Sequence, residues 1–406
     1  MEKLPTLDDV LVKGKTVIVR VDINSPLDPK TGDILDDSRI RKSAFTLTEL
    51  ASKGARVVVL AHQGRPGSED FTTFEKHAEK LSAAMGFQVK YITDVIYGPL
   101  AVQEIRRLRS GDVLMLENVR YLAEENLNRS IEEQARTRLV QKLAPEAHLF
   151  VSDAFSAAHR SQASIVGFAA VLPSCAGRLM EKEINGLSPA LAPEHPSVYL
   201  LGGAKADNAM KIINNSLEKK TADEVLTGGI LANIFLMASG RDVGGPNTNL
   251  IMDEGYNKLI DRAKRLLSVY GDKIKVPLDI VVDVGGQPKT ISLEELPTGR
   301  YICDIGPRTI AAYSKSIAGA KTIVAKGPIG IFERKGFERG TFDLLEAMAR
   351  STAFTILGGG HIVAAANEAQ VSSRINYISS AGWASISFIS GEPMPGLEAL
   401  LYFKPH

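Results

Sequence analysis

Leu201-Gly202-Gly203-Ala204-Lys205-Ala206 follows a short apolar run, residues 197–201, and precedes a stretch of helical spacing over 208–218 (Met210, Ile213, Leu217). The order spells strand, tight glycine turn, helix. In such a turn glycines let a phosphate approach backbone N–H groups, the helix dipole favours negative charge, and Lys205 adds a mobile cation. The same turn is also plain α/β geometry, so its meaning depends on its surroundings. Downstream it recurs: residues 224–226 run into Thr227-Gly228-Gly229, 322–324 into A-K-G-P-I-G-I-F-E (325–333), 354–357 into Gly358-Gly359-Gly360-His361, and Ser379 to Trp383 precedes another apolar stretch. Several strand-glycine-helix turns in one sheet suggest a mononucleotide lying across the strand ends, phosphates on helix starts and base against an apolar wall.

Upstream the rhythm is also β-α-β-α, with different loops. The β-branched run 16–21 ends in D-I-N-S-P (22–26); a helical pattern spans 39–53; strand 56–60 ends in A-H-Q-G-R-P (61–66). Strand 112–116 leads to Arg120, strand 148–151 leads to Arg160, and 74–85 and 131–144 read as helices. Residues just past the carboxyl ends of parallel strands line one crevice, and Asp22, Asn24, His62, Arg65, Arg120 and Arg160 all fall there, with Arg39 opening the first helix. Four arginines and a histidine suit a small, multiply anionic ligand, because guanidinium forks match phosphate and carboxylate bidentately. Asp22 and Asn24 read equally well as an Asx turn closing the first loop. His159, beside Arg160, is left off the site.

The chain has 406 residues and 44% hydrophobic content, too long for one core, which predicts two domains. Of its 35 glycines, 24 lie after residue 200, so the halves are built for different ligands. Boundaries are expected at 1–175 for the anion-binding domain, 176–196 for an interdomain helix and proline-rich linker, and 197–390 for the nucleotide domain. The segment 391–406 is a candidate to pack back on the first domain. A net charge of +1 gives no reason to expect nucleic acid or membrane as partner. Cys175 and Cys303 suit a reducing compartment. No apolar run approaches the ~20 residues of a membrane helix, and the start MEKLPTLDDV has no apolar core of a signal peptide, so a cytoplasmic location is expected. Gly14-Lys15-Thr16 mimics the end of a Walker A loop, but Asp9 stands where its first glycine belongs. No G-x-G-x-x-G follows a strand, which speaks against a dinucleotide dehydrogenase, and H-E-x-x-H, paired C-x-x-C and G-x-S-x-G are absent from the sequence.

Taken together, R-V-D-I-N-S-P (20–26), H-Q-G-R-P (62–66), L-E-N-V-R (116–120), S-D-A-F (152–155) with A-H-R (158–160), M-E-K-E (180–183), G-G-A-K (202–205), G-P-I-G-I-F-E (327–333) and G-G-G (358–360) resemble phosphoglycerate kinase, most of all its archaeal branch. The resemblance covers nearly the whole chain in order. It implies two Rossmann-like α/β domains with parallel sheets joined by an interdomain helix, and phosphoryl transfer between 1,3-bisphosphoglycerate and ADP with Mg2+, making 3-phosphoglycerate and ATP. It also implies that Asp22, Asn24, Arg39, His62, Arg65, Arg120 and Arg160 hold 3-phosphoglycerate, and that Arg39 and Lys205 flank the transferred group. Glu333 would hold the ribose, with Gly203, Ala204, Gly228, Gly229, Lys326, Gly327, Pro328, Gly358, Gly359, Gly360 and His361 around the rest of the nucleotide. The enzyme would work as a monomer or homodimer, its domains closing about residues 176–191.

The chain departs from the family pattern in four places. Ala209 stands where many members have a lysine, with Lys211 nearby as a candidate replacement; Ala325-Lys326-Gly327-Pro328 replaces W-N-G-P; His361 follows the triple glycine where aspartate is common; and Ser380-Ala381-Gly382-Trp383-Ala384 replaces T-G-G-G-A. These leave the magnesium ligands unassigned and keep a second reading in play, a degenerate relative that binds both substrates with little turnover.

Overall fold

The run T-V-I-V-R-V becomes strand β1 (Thr16–Val21), buried along its whole length. A strand covered on both faces reads as continuous apolar sequence, and here the alternation is hidden inside the run: Val17, Val19 and Val21 enter one core, Ile18 the other. Each such side chain contributes roughly 1.5–3 kcal/mol by leaving water. The computed structural model describes residues 4–403. In it β1 is central to a six-stranded parallel sheet with β2 (Arg56–Leu60), β3 (Lys90–Tyr91), β4 (Val113–Met115), β5 (Leu149–Asp153) and β6 (Ser174–Ala176), ordered β3-β4-β2-β1-β5-β6. Helix Ser38–Ser52 covers the Val17 face with Ile40, Leu47 and Leu50 at helical spacing.

A second parallel sheet comprises β7 (Ser197–Leu201), β8 (Glu224–Thr227), β9 (Ile274–Lys275), β13 (Thr322–Lys326), β14 (Phe354–Gly358) and β15 (Tyr377–Ser379), ordered β15-β14-β13-β7-β8-β9. A separate antiparallel sheet holds β10 (Asp279–Val284), β11 (Gln287–Ser292) and β12 (Ile302–Ile305). The chain forms two compact units, one of residues 1–184 with 393–406 and the other of 185–392. In each parallel sheet the order reverses beside the first strand, at β1/β5 and at β7/β13, and ligands of open α/β sheets bind outside the carboxyl ends at such a point.

Three local expectations need correction. Residues 131–144 are not one helix but two, Ile131–Ala135 and Arg138–Leu143, because Thr137 takes an extended backbone and its hydroxyl donates to Gln134 O at 2.6 Å. Ala176 belongs to β6, and the helix expected from 176 begins at Arg178 and ends at Leu187. The β10–β11 hairpin has no counterpart among the expected elements, although Gly285 and Gly286 (φ 61° and 87°) form the two-residue turn that such a pair signals.

Candidate active site

In the first unit the loops after β1, β2, β4 and β5 meet. Asn118, fully buried, accepts the N–H groups of Gln63 and Arg120 and donates to the carbonyls of Gln63 and Thr72, locking two of those loops together. Asn24 joins a third by accepting Gly64 N–H at 2.9 Å. The Asx turn left open for Asp22 is formed, its Oδ1 accepting the Asn24 N–H at 3.1 Å, while Oδ2 takes Arg39 Nη1 at 2.8 Å and the Ser156 hydroxyl. Burial alone would raise the Asp22 carboxyl; the Arg39 charge and these hydrogen bonds hold it below the usual range.

Arg20, within the buried β1, belongs to the first motif of the resemblance but not to the site expected from it. Its guanidinium lies 3.0 Å from His62 Nδ1 and donates to Ser164 Oγ at 2.8 Å. Since arginine has no acceptor, His62 Nδ1 carries the lone pair and Nε2 the proton. Burial, then Arg20, pushes the His62 pKa well below its ordinary value, so the imidazole is neutral and Arg39 with the hydrogen bonds keeps Asp22 ionised. The signal for Arg20 is present in the sequence: a charge inside an otherwise β-branched central strand has to be paired or functional.

Arg120 donates to Gly64 O, and its pKa is pulled down to about 10 by burial and then by Arg160, Arg20 and Arg65. Arg160 is lowered by burial and by Arg65, with Asp22 and Glu125 opposing. Arg65 itself is exposed. Thus Arg20, Arg65, Arg120 and Arg160 repel one another, and burial holds the Glu125 carboxyl, which accepts the Ser164 N–H at 2.8 Å, above its usual range. Every residue expected at this site is part of the same network.

The second unit holds a cavity of about 520 Å³ at the β7/β13 reversal. Gly203, Ala204, Lys205, Gly229, Lys326, Gly327, Pro328, Glu333, Gly358, Gly359, Gly360 and His361 line it, as expected; Gly228 does not, lying instead under Ile329. Sequence reasoning misses Asn208, Asn233 and the apolar wall of Ile230, Leu250, Ile302, Ile331, Ile362 and Ile386, whose contributors are scattered over separate elements, Leu250, Ile302 and Ile386 outside any motif. Lys211, the candidate replacement for the lysine absent at Ala209, is not on the lining but stands beside it, 5.3 Å from the centroid of the lining Trp383 ring and 3.8 Å from Glu392. Ala209 is packed in the core. His361 Nδ1 sits 3.3 Å from Glu333 Oε1, so the histidine faces the glutamate and does not cap its helix.

The glycines serve two purposes. A Cβ on Gly202 would meet Pro328 O at 2.3 Å and one on Gly327 would meet Gly202 O at 2.2 Å, so these turns are bare because they pack on each other. Their N–H groups are used accordingly: Gly202 donates to Lys326 O at 2.8 Å, Gly203 to Pro328 O at 2.7 Å and Gly229 to Ile329 O at 2.8 Å. Gly359 and Gly360, in contrast, face open space. Phosphate approach to backbone, expected at Leu201–Ala206, fits the start of helix Gly360–Glu368 better.

Anion donors gathered at the carboxyl ends of one doubly wound sheet, and a nucleotide-sized cavity at those of another, define the class of α/β small-molecule phosphotransferases. The particular family follows from comparison. Residues 7–392 match the family described as "Phosphoglycerate kinase". Phosphoglycerate kinase of Methanobacterium bryantii is 49% identical over 400 residues, 98% of this chain and 97% of that one, and that of Methanothermus fervidus 46% identical over 401 residues, again 98% and 97%. The crystal structure of phosphoglycerate kinase from Pyrococcus horikoshii OT3 superposes with a TM-score of 0.87 at 42% identity, covering 98% of this chain and 99% of that one. The structure of the Coxiella burnetii phosphoglycerate kinase gives 0.85 at 32%, with the same coverage. The chain belongs to the phosphoglycerate kinase family, a family of phosphotransferases with two Rossmann-like domains.

Proposed function

We propose that the chain catalyses reversible transfer of a phosphoryl group from 1,3-bisphosphoglycerate to ADP, giving 3-phosphoglycerate and ATP, in the cytoplasm. The observation that carries this reading is the cluster of Arg20, Arg65, Arg120 and Arg160: beyond burial, Arg160 lowers Arg20, Arg65 lowers Arg160, and all three lower Arg120, with Asp22 and Glu125 opposing. A cluster so out of balance is held at a cost that a polyanion relieves. Neutral His62 offers Nε2–H as a donor that adds no further repulsion. A carboxyl phosphate already has a good leaving group, so no covalent nucleophile or general base is needed; positioning and charge neutralisation by Arg39 and Lys205 suffice.

Magnesium belongs to this reading as the nucleotide's companion. Among the described residues no group of three His, Cys, Asp or Glu side chains converges on a metal position, and Glu333 is the carboxylate on the cavity lining, facing His361. A hard cation that prefers oxygen is therefore carried by phosphate oxygens and water, and the protein's own groups orient the phosphates. Among the described residues no helix is long and apolar enough to cross a membrane. Cys175 and Cys303 are both free thiols, which supports the cytoplasmic assignment.

The deciding experiment is a coupled assay in both directions, paired with calorimetry for 3-phosphoglycerate and ADP separately. Turnover in the range of roughly 1–10³ s⁻¹ typical of enzymes is expected. Tight binding of both ligands with negligible turnover would instead establish the degenerate relative, and failure to bind 3-phosphoglycerate would end the reading.

A further inference from the structure

In the nucleotide cavity three backbone donors of the β7 and β8 turns, the N–H groups of Gly202, Gly203 and Gly229, are already spent on the 326–329 loop. Phosphate charge beside those three glycines then calls for side-chain cations. Lys326 is the last residue of β13, in register with Leu201 on one neighbouring strand and Gly358 on the other, so it stands in the middle of the strand ends where the order reverses. Its position is rigid, because Gly202 N–H holds its carbonyl and the bare Gly327 locks the next peptide against Gly202. Lys205, from the β7 turn, lines the same cavity. Among the described residues neither lysine's ammonium group has an ion-pair or hydrogen-bond partner. The other titratable groups around the cavity are Glu333 and His361, which face each other, and Cys303 from β12, beside Arg334.

We propose that Lys326 is a catalytic residue of the transfer reaction, closing with Lys205 on the terminal phosphates of the bound nucleotide and neutralising the charge carried by the moving phosphoryl group. The inference rests on the phosphoryl-transfer reading and deepens it: this site neutralises phosphate with two lysines delivered from adjacent central strands. Burial, and then Lys205, brings the Lys326 ammonium down to about 8, so in the free protein it loses its charge near the upper edge of the physiological range. An anion placed between the two lysines restores it. The contribution of Lys326 is present below pH ~8 and fades above it, whereas an arginine there would stay charged.

The test measures kcat/KM for ADP from about pH 6.5 to 9.5 in the wild type, Lys326→Arg and Lys326→Gln, since that ratio reports the ionisations of the free enzyme. Expected are a fall above pH ~8 in the wild type, its disappearance in Lys326→Arg, and a loss of at least ~10-fold without that inflection in Lys326→Gln, with 3-phosphoglycerate affinity unchanged. Calorimetry with ADP and AMP supplies a readout independent of turnover: the preference for ADP should shrink in Lys326→Gln while AMP binding stays the same. Wild-type kcat/KM and an undiminished ADP preference in Lys326→Gln would overturn the proposal. Should the wild type turn over nothing, the functional reading falls, and the ADP-against-AMP comparison still decides whether Lys326 meets phosphate. If Lys326→Gln fails to fold, the wild-type and Lys326→Arg profiles decide: identical profiles overturn the proposal.

Discussion

In the first unit most of the groups proposed to face the ligand are held by hydrogen bonds, Arg65 being the exposed one. Arg20 is held by Ser164 and His62, Arg120 by Gly64 O, Arg39 by Asp22, and Asn118 ties the loops that carry them. In the second unit the wall is backbone, glycine and isoleucine, and its cations are two lysines whose ammonium groups have no partner among the described residues. The difference fits the ligands proposed for the two units. A small acid with charge at both ends is recognised only by polar groups at set distances, so their reorganisation has to be removed in advance; a nucleotide brings a large apolar base and a flexible phosphate chain, which need a shaped space and mobile charge.

Mutation can break this comparison or sharpen it. Removing mobile charge from the second unit should act on the chemistry: Lys205→Ala is expected to lower kcat by ~10²-fold or more in steady-state assays. A wild-type kcat would mean that Lys205 only decorates the cavity. Removing one exposed member of the arginine cluster should act on binding instead, so Arg65→Ala is expected to raise KM for 3-phosphoglycerate roughly 10-fold with kcat nearly kept. An equal loss in kcat would erase the proposed division of labour.

The next effect is smaller and concerns how the first site is braced. Helix Ser38–Ser52, which presents Arg39, is clamped near its far end by Arg178, whose Nε and Nη2 lie 2.9 and 2.8 Å from the Glu49 carboxylate. The Arg178 bond, against burial and with help from Lys53, lowers Glu49 to about 2. A depressed folded-state value means stabilisation that is present above the unfolded pKa near 4.5 and is lost as pH falls through about 2. Allowing for solvent screening, Glu49→Gln should cost about 1 kcal/mol in urea melts at about pH 7 and almost nothing near pH ~2. A cost that ignores pH would point to packing rather than charge. Smallest of all, His361→Ala should change activity at saturating magnesium by less than ~3-fold, because the imidazole engages Glu333 and is a poor ligand for magnesium. Complete loss of activity with nucleotide still bound would make the histidine part of the chemistry.

How much the sequence reveals follows the same division between the units. In the first, function is written in residue types that are costly to bury, so Asp22, His62, Arg120 and Arg160 stand out at strand ends from the order of residues alone, and the crevice they share can be inferred from them. Arg20 escapes notice only because it lies inside a strand. In the second, the turns after β7, β8, β13 and β14 are legible, but glycine states only that something comes close. Whether that something is a phosphate, as fits Gly359 and Gly360, or another backbone, as at Gly202 and Gly327, depends on contacts between loops more than a hundred residues apart in sequence. The apolar wall is illegible for a related reason: Ile230, Leu250, Ile302 and Ile386 look like ordinary core residues until the cavity they face is seen.

The mutual packing of the β7 turn and the 326–329 loop also sets how changes there combine. A methyl on Gly202 and a methyl on Gly327 would each force apart the same two stretches of backbone. Once the first has opened that seam, the second finds the room already made, apart from the strain of a left-handed residue at Gly327 (φ 74°). The double alanine variant should therefore be less damaged than the sum of the singles.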